Sequence, residues 1–339
     1  MPRGLARVLS LLVVAGCAGA APPSVSPRPA PARAETARPG RALPPPNERE
    51  RALALELRSA VTELGSRIGE RNAEKKWELA SAADFVATSL EDLGYAVARE
   101  GYEVGDIVAQ NLEVTVPGGE RGEESIVVGA HYDSALGSPG AGDNASGVAA
   151  VLALARALRD SRPGRSLHFV CFANREAPFA GTPDMGSLRY AKGLAARGER
   201  VIAALNLDSI GRFSDAPGSQ REVAGFEGER PTVGDFIAVV SRRADERLAA
   251  SVLATLLARG SVPARRLALG DPAAASDEGS FWQMGWPAVR ITDTGAARSA
   301  AHHTPGDVLE TLDFDRMARV VAGVEAVIVE LTGGARAEP

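Results

Sequence analysis

His131, Asp133 and Asp143 draw attention first, because of where these residue types fall along the chain. The stretch 125–147, SIVVGAHYDSALGSPGAGDNASG, starts as a β-branched apolar run and breaks at His131. It then carries both aspartates through a Gly/Pro/Ser loop and enters a helical apolar spacing at Val148. A strand thus delivers a histidine to its carboxyl end, and a loop delivers a carboxylate. Open α/β sheets build sites at such strand ends, where His and Asp are ligands for a zinc-type ion. Within this stretch alone, a polar loop in which Asp143 or Asn144 caps the next helix accounts for the residues equally well.

Three other apolar runs end the same way. Run 167–173 ends in Asn174-Arg175-Glu176, run 201–207 in Asp208, and run 287–292 leads through Asp293 to His302-His303. Singly, these are a loop cap, a solvated histidine and a surface acid. Gathered at one sheet edge, mixed imidazole and carboxylate groups are what a zinc pair needs. The remaining histidine, His168, lies inside a strand-like run and reads as structural.

The elements that must position these groups follow from periodicity. Apolar residues recur at helical spacing over 47–64, 74–93, 148–158, 185–194, 245–257 and 314–331. Short β-rich runs occupy 95–102 and 110–116, besides the four named above. Residues 236–240 suit strand or helix, and the charged, glycine-rich stretch 213–230 fits neither. Strands alternating with helices give an α/β sandwich in three layers, α/β/α, around a mostly parallel mixed sheet.

The first residues read as an export signal: Arg3 and Arg7 precede an apolar run over 8–15 that is too short to span a bilayer. Val14-Ala15-Gly16-Cys17 resembles a bacterial lipoprotein box, which implies cleavage after residue 16 and a lipid on Cys17; ordinary cleavage near 18–21, releasing the protein, is the alternative. Residues 17–46 are Pro/Ala-rich and read as a tether, 47–332 as a single domain and 333–339 as a flexible tail. Cys171 is the only other cysteine, so no disulfide framework is expected. Loss of Arg3 and Arg7 takes 38 basic residues to 36 against 43 acidic, a net charge of −7 that gives nucleic acid no footing. The membrane is expected to be met only through the lipid, and the domain is expected to be a monomer.

Several blocks together resemble the secreted di-zinc aminopeptidase family, which also includes glutamate carboxypeptidases and, more distantly, glutaminyl cyclases. They are residues 129–134 (GAHYDS), 142–147 (GDNASG), 185–187 (MGS) with Tyr190, 206–211 (NLDSIG), 287–294 and 303–307 (HTPGD). By position, the resemblance implies a zinc-exopeptidase fold and two Zn2+ ions. His131 and Asp208 would hold one ion, Glu176 and His303 the other, and Asp143 would bridge them. It also implies that Asp133 hydrogen-bonds the far nitrogen of His131, and that the ligand is a peptide.

The family pattern breaks in one place that matters. Two adjacent glutamates are expected after residue 173, the first as general base, and here Arg175 precedes Glu176. Arginine stays protonated and cannot take up a proton. Ser276-Asp277-Glu278 stands where the family has Ser-Asp-His, and His302 where it has a tyrosine. Loss of a general base removes roughly 10²–10⁴-fold of rate, and loss of an oxyanion donor roughly 10²–10³-fold. Arg175 and Glu278 are opposite changes and are expected to form an ion pair across the cleft, with Glu278 or His302 as substitute proton acceptors. Two readings stand: a zinc aminopeptidase or dipeptidase at the cell envelope, and an impaired relative that binds zinc or peptide. Glutaminyl-cyclase-like acyl transfer is weaker, since it also needs the missing glutamate. No Gly-x-Ser-x-Gly elbow supports a serine hydrolase.

Overall fold

The computed structural model of the protein describes residues 1, 43–260, 262–270 and 275–333. Every element below lies in the unit Glu35–Pro339. The export signal, nearly all of the tether and the tail beyond Gly333 lie outside the described residues.

Helix α1 (Glu48–Thr62) starts in a capping box: Asn47 Oδ1 accepts the Glu50 N–H at 2.9 Å, and the Glu50 carboxylate accepts the Asn47 N–H at 2.9 Å. It widens into a π turn over Glu63–Ile68 and stops at Gly69, whose φ of 77° suits glycine. Helix α2 (Lys76–Glu91) follows, and then β1 (Ala98–Val104) and β2 (Ile107–Val116), paired antiparallel as a hairpin. The rest alternates: β3 (Arg121–His131), α3 (Ser146–Leu158), β4 (Arg165–Phe172), α4 (Gly186–Ala196) and β5 (Arg200–Leu207). Then come β6 (Ile237–Ser241), α5 (Glu246–Arg259), β7 (Ala264–Ala268), α6 (Glu278–Gln283), β8 (Ala288–Thr292) and the closing helix α7 (Phe314–Thr332).

The strands form one eight-stranded sheet in the order β1-β2-β4-β3-β5-β8-β6-β7. Its centre, β4-β3-β5-β8, is parallel throughout, while β2 joins β4 and β6 joins β8 antiparallel. Side chains alternate across it as the pleat requires. Ile126, Val128, Leu167 and Phe169 pack with Val151, Leu154 and other residues of the helical layer that contains α1, α3 and α7. Val127, Val170 and Phe172 pack on the other face against Tyr190 and Leu194 of α4 and Phe281 of α6. This is the expected α/β/α sandwich, with both faces of the central strands buried.

Two sequence ambiguities resolve physically. Residues 237–241 are all buried between β8 and β7, so they have strand neighbours on both sides and no exposed face for a helix. Strand β7 carries Arg265 and Arg266 in a five-residue run, a charged edge that hides the apolar alternation but suits the end of a sheet. Residues 213–230 contribute no helix or strand apart from one isolated bridge, Phe226 to Leu267.

Candidate metal centre

The connection from β3 to β4 runs through α3 on one face, whereas that from β4 to β5 crosses over β3 through α4 on the other. The crossover direction therefore reverses at β3, the topological position at which open α/β sheets form a crevice. His131 is the last residue of β3, Asp208 follows β5, and Glu176 follows β4. Asp143 comes from the loop that enters α3, and His302 and His303 from the loop after β8.

These side chains converge. Asp143 lies at the centre, its Oδ1 3.3 Å from His131 Nε2 and its Oδ2 2.8 Å from His303 Nε2. On one flank His131 Nε2 lies 3.9 Å from Asp208 Oδ1, and on the other His303 Nε2 lies 3.3 Å from Glu176 Oε1. Ligand atoms of His131, Asp143 and Asp208 fall within 4.8 Å of one another, as do those of Asp143, His302 and His303. His302 stacks on His303 with ring centroids 4.0 Å apart. All five residues expected as ligands are thus neighbours, in two groups that share Asp143. The His131 side is sealed at 1% side-chain exposure, while His303 is 44% exposed, so the site opens to solvent on the histidine pair's side.

The electrostatics follow from that packing. Burial alone would lower the His131 pKa, but Asp133, Asp143 and Asp208 together raise it well above the usual imidazole value. Contacts with Asp143 and Glu176 push His303 up to about 10. Burial pushes the Asp143 and Asp208 carboxyls upward, yet the histidines overcome it and hold both below the ordinary carboxylate range. Such mutual attraction of imidazoles and carboxylates is what a divalent cation replaces. Asp143 Oδ1 is buried without a hydrogen-bond partner, an acceptor that burial should not leave unmatched. The donor set and this orphaned oxygen fit zinc.

The surrounding hydrogen bonds fix the ligands. Asp133 lies with its Oδ1 3.4 Å from His131 Nδ1, and the closer contact to that nitrogen, 3.2 Å, is the Asp133 backbone carbonyl. The Asp133 carboxylate meanwhile accepts the backbone N–H groups of Arg175 at 3.1 Å and Glu176 at 2.8 Å, joining the end of β3 to the loop after β4. Asp307 clamps the Asp143 loop by accepting the N–H groups of Gly142 at 2.6 Å and Asp143 at 3.0 Å, and is itself held by Arg212 at 2.7 Å. Asn144 accepts the N–H groups of Gly147 and Ser209 and donates to the Leu207 carbonyl, stitching the start of α3 to the end of β5. The non-glycine residues with positive φ among the described residues are Asn174, Ser209, Thr294 and His303. Each lies at or beside the site, where strained backbone is held in place by the packing around it.

Arg175 stands beside Glu176, as its position implied, but its expected ion pair with Glu278 does not form. The Arg175 Nε donates to Ser276 Oγ at 2.8 Å. Glu278 is fully buried, accepts from Asn206 Nδ2 at 3.0 Å and faces Arg290, whose Nε lies 3.4 Å away. Arg290 is an arginine on β8 that sequence reasoning passed over, and its Nη1 also approaches Asp208 Oδ2 at 3.6 Å. A buried glutamate takes the nearest cation on its own side of the sheet, which is why the pairing across the cleft fails. Burial would lower the Arg175 pKa, but Asp208, Glu176 and Asp277 raise it above the ordinary arginine value.

Asp307 and Arg71 are further residues whose part sequence reasoning missed, and Asp277 was read only within the block Ser276-Asp277-Glu278. Asp307 sits in the block 303–307 and so carried a signal; Arg71 carried none. Asp277 is fully buried near Arg175, and burial pushes its carboxyl up to about 6 against the pull of His131 and Arg175.

The sequence is 32% identical over 293 residues to an uncharacterised Escherichia coli protein, YfbL, covering 82% of this chain and 88% of that one. It is 29% identical over 221 residues to leucine aminopeptidase 1 of Uncinocarpus reesii, covering 61% of this chain and 51% of that enzyme. Among solved structures, a zinc aminopeptidase from Bacillus subtilis superimposes with a TM-score of 0.66 at 16% identity, over 86% of this chain and 96% of its own. A glutaminyl cyclase from Fimbriiglobus ruber superimposes with a TM-score of 0.60 at 18% identity, over 86% of this chain and 97% of its own. Both likenesses are of fold. The family profile described as peptidase family M28 matches residues 111–328, which takes in every candidate ligand, and the chain therefore belongs to peptidase family M28.

Proposed function

We propose that the protein is a two-zinc, aminopeptidase-like exopeptidase that hydrolyses short peptides at the cell envelope. The observation that carries this reading is the Asp143 carboxylate, which turns one oxygen to His131 and the other to His303. His131 and Asp208 would hold one ion, Glu176 and His303 the other. Those residues would hold zinc, which would supply Lewis acidity and acidify a water toward neutrality. The chain's own residues do the rest. Asp133 fixes the His131 ring and ties it to the Glu176 loop. Asp307 and Asn144 keep the loop that carries the Asp143 carboxylate in place. His302, with its Nδ1 3.3 Å from Asp143 Oδ2 and its ring partly open to solvent, is the group best placed to accept a proton, since Arg175 cannot. Envelope placement rests on the lipoprotein-like box at Cys17. No helix among the described residues is long and apolar enough to cross a membrane.

A second reading, an impaired relative that binds zinc or peptide, is favoured by Arg175 in the general-base position. Elemental analysis of protein reconstituted with zinc, combined with a panel of unblocked dipeptides and aminoacyl-nitroanilides, separates the two. The expected result is two zinc ions per chain and turnover of at least one panel member, both reduced in Asp143→Asn. Two ions with no turnover until Arg175→Glu is introduced would establish the impaired reading. Absence of bound metal would sink the two-zinc reading and leave only an impaired relative that binds peptide.

A further inference from the structure

Arg175 has features that the metal site does not use. Its backbone is pinned by Asp133 and its Nε by Ser276 Oγ, so the guanidinium is fixed in position beside the ligand Glu176. Its two terminal amino groups, however, have no hydrogen-bond partner and no ion-pair partner among the described residues, and neither is sealed from solvent. A half-buried guanidinium with one locked nitrogen and two free ones is unusual, because buried charge normally finds a counter-charge. Of the nearby carboxylates, four are committed elsewhere. Asp143, Glu176 and Asp208 belong to the metal centre, and Glu278 is committed to Arg290 and Asn206. Once the ligands are spent on divalent cations, buried Asp277 is the carboxylate left near Arg175, and it makes no hydrogen bond or ion pair with the two terminal amino groups.

We propose that Arg175 is the docking group for the free α-carboxylate of a short peptide, and so restricts the enzyme to dipeptide-type substrates. The inference rests on the two-zinc peptidase reading given above. The free Nη1 and Nη2 form the planar fork that pairs with a carboxylate through two parallel hydrogen bonds. Position sets the substrate length. The Arg175 guanidinium lies within the field of Asp208, Glu176 and Asp143, so a carboxylate paired with it lies beside the metal centre, where the terminus of a dipeptide falls and that of a longer peptide does not. A longer peptide would place a neutral amide there, which the guanidinium pairs with less well. The substitution that removes the usual base thereby gains a function of its own.

Calorimetric titration of the zinc-loaded protein with three non-hydrolysable ligands tests this. They are a phosphinic Ala–Ala isostere with a free carboxylate, its terminal carboxamide, and a carboxamide bearing an aspartyl side chain in the second position. The phosphinate anchors all three to the metals, so binding does not depend on turnover. The expected result is that the free carboxylate binds roughly 10–100-fold more tightly than either carboxamide. In Arg175→Gln that preference falls to near unity while the plain carboxamide keeps its affinity, which also shows that the variant is folded. Equal affinities in wild type, or an undiminished preference in Arg175→Gln, would overturn the proposal and leave the peptidase reading intact. Recovery of tight binding by the aspartyl carboxamide would overturn the assignment to a terminal carboxylate. Failure of all three to bind would instead reject the two-zinc reading beneath it.

Discussion

In protein stripped of metal, His303 is held by Asp143 and Glu176 with its pKa raised from the ordinary 6.5 to about 10. A group whose folded pKa is raised contributes stability that is fully present below about pH 6.5 and is lost as pH climbs through about 10. Between those limits the folded protein carries a proton at His303 that zinc must displace. Zinc uptake at pH 7.5 is therefore expected to release protons, measured as buffer-dependent enthalpy in calorimetric titrations, and His303→Ala is expected to reduce the release. Metal binding with no net proton release would contradict the arrangement. The identities of His131, Asp143, Asp208, Glu176 and His303 were legible in sequence, since each ends or follows an apolar run or lies in a recognisable block. The partner of Arg175 was not, because pairing among buried charges depends on which side of a sheet each group occupies. Arg290, which takes Glu278, is an unremarkable residue of a short strand until β8 is placed beside β5.

At the scale of elements, the loop that bears Asp143 is held by one buried arginine. Arg71 is fully buried and donates to the carbonyls of Tyr132 at 2.6 Å, Leu64 at 3.1 Å, Gly69 at 2.9 Å, Pro139 at 2.7 Å and Gly140 at 2.9 Å. It thereby joins the π turn that ends α1 to the stretch from Tyr132 to Gly140 that leads to Asp143. Burial lowers its pKa to about 10, which still leaves it charged at neutral pH. Each buried carbonyl left without a donor costs about 1–3 kcal/mol, so Arg71→Met is expected to destabilise the fold by at least about 3 kcal/mol in urea unfolding, with zinc affinity falling alongside. A change below about 1 kcal/mol would show that the carbonyls find water instead. Helices with long apolar periods were legible to within a few residues, as α2, α5 and α7 show. Strand β7 and helix α6 were not, the first because its edge position tolerates arginines and the second because six residues hold too little periodicity.

At the scale of the whole molecule, both faces of the sheet's central strands are sealed, and Cys171 in β4 reports on that seal. It is fully buried, and desolvation pushes its thiol up to about 12, so the reactive thiolate is scarce at any neutral pH. Iodoacetamide at pH 8 is expected to leave Cys171 unmodified in the native protein and to label it in urea, read by mass spectrometry. Rapid native labelling of Cys171 would mean that the sheet opens locally. Composition and periodicity by themselves determined the α/β class, the run of helices and strands, and the residue types able to bind metal, because these depend on local spacing and on chemistry carried by each side chain. Only the tertiary structure decided that Asp143 turns one oxygen to each histidine, that Asp133 binds backbone amides as well as facing His131, and that Arg175 keeps two free amino groups in the cleft. Those are distances between residues far apart in the chain, fixed by strand order and by crossovers on opposite faces of the sheet, and no local pattern encodes them.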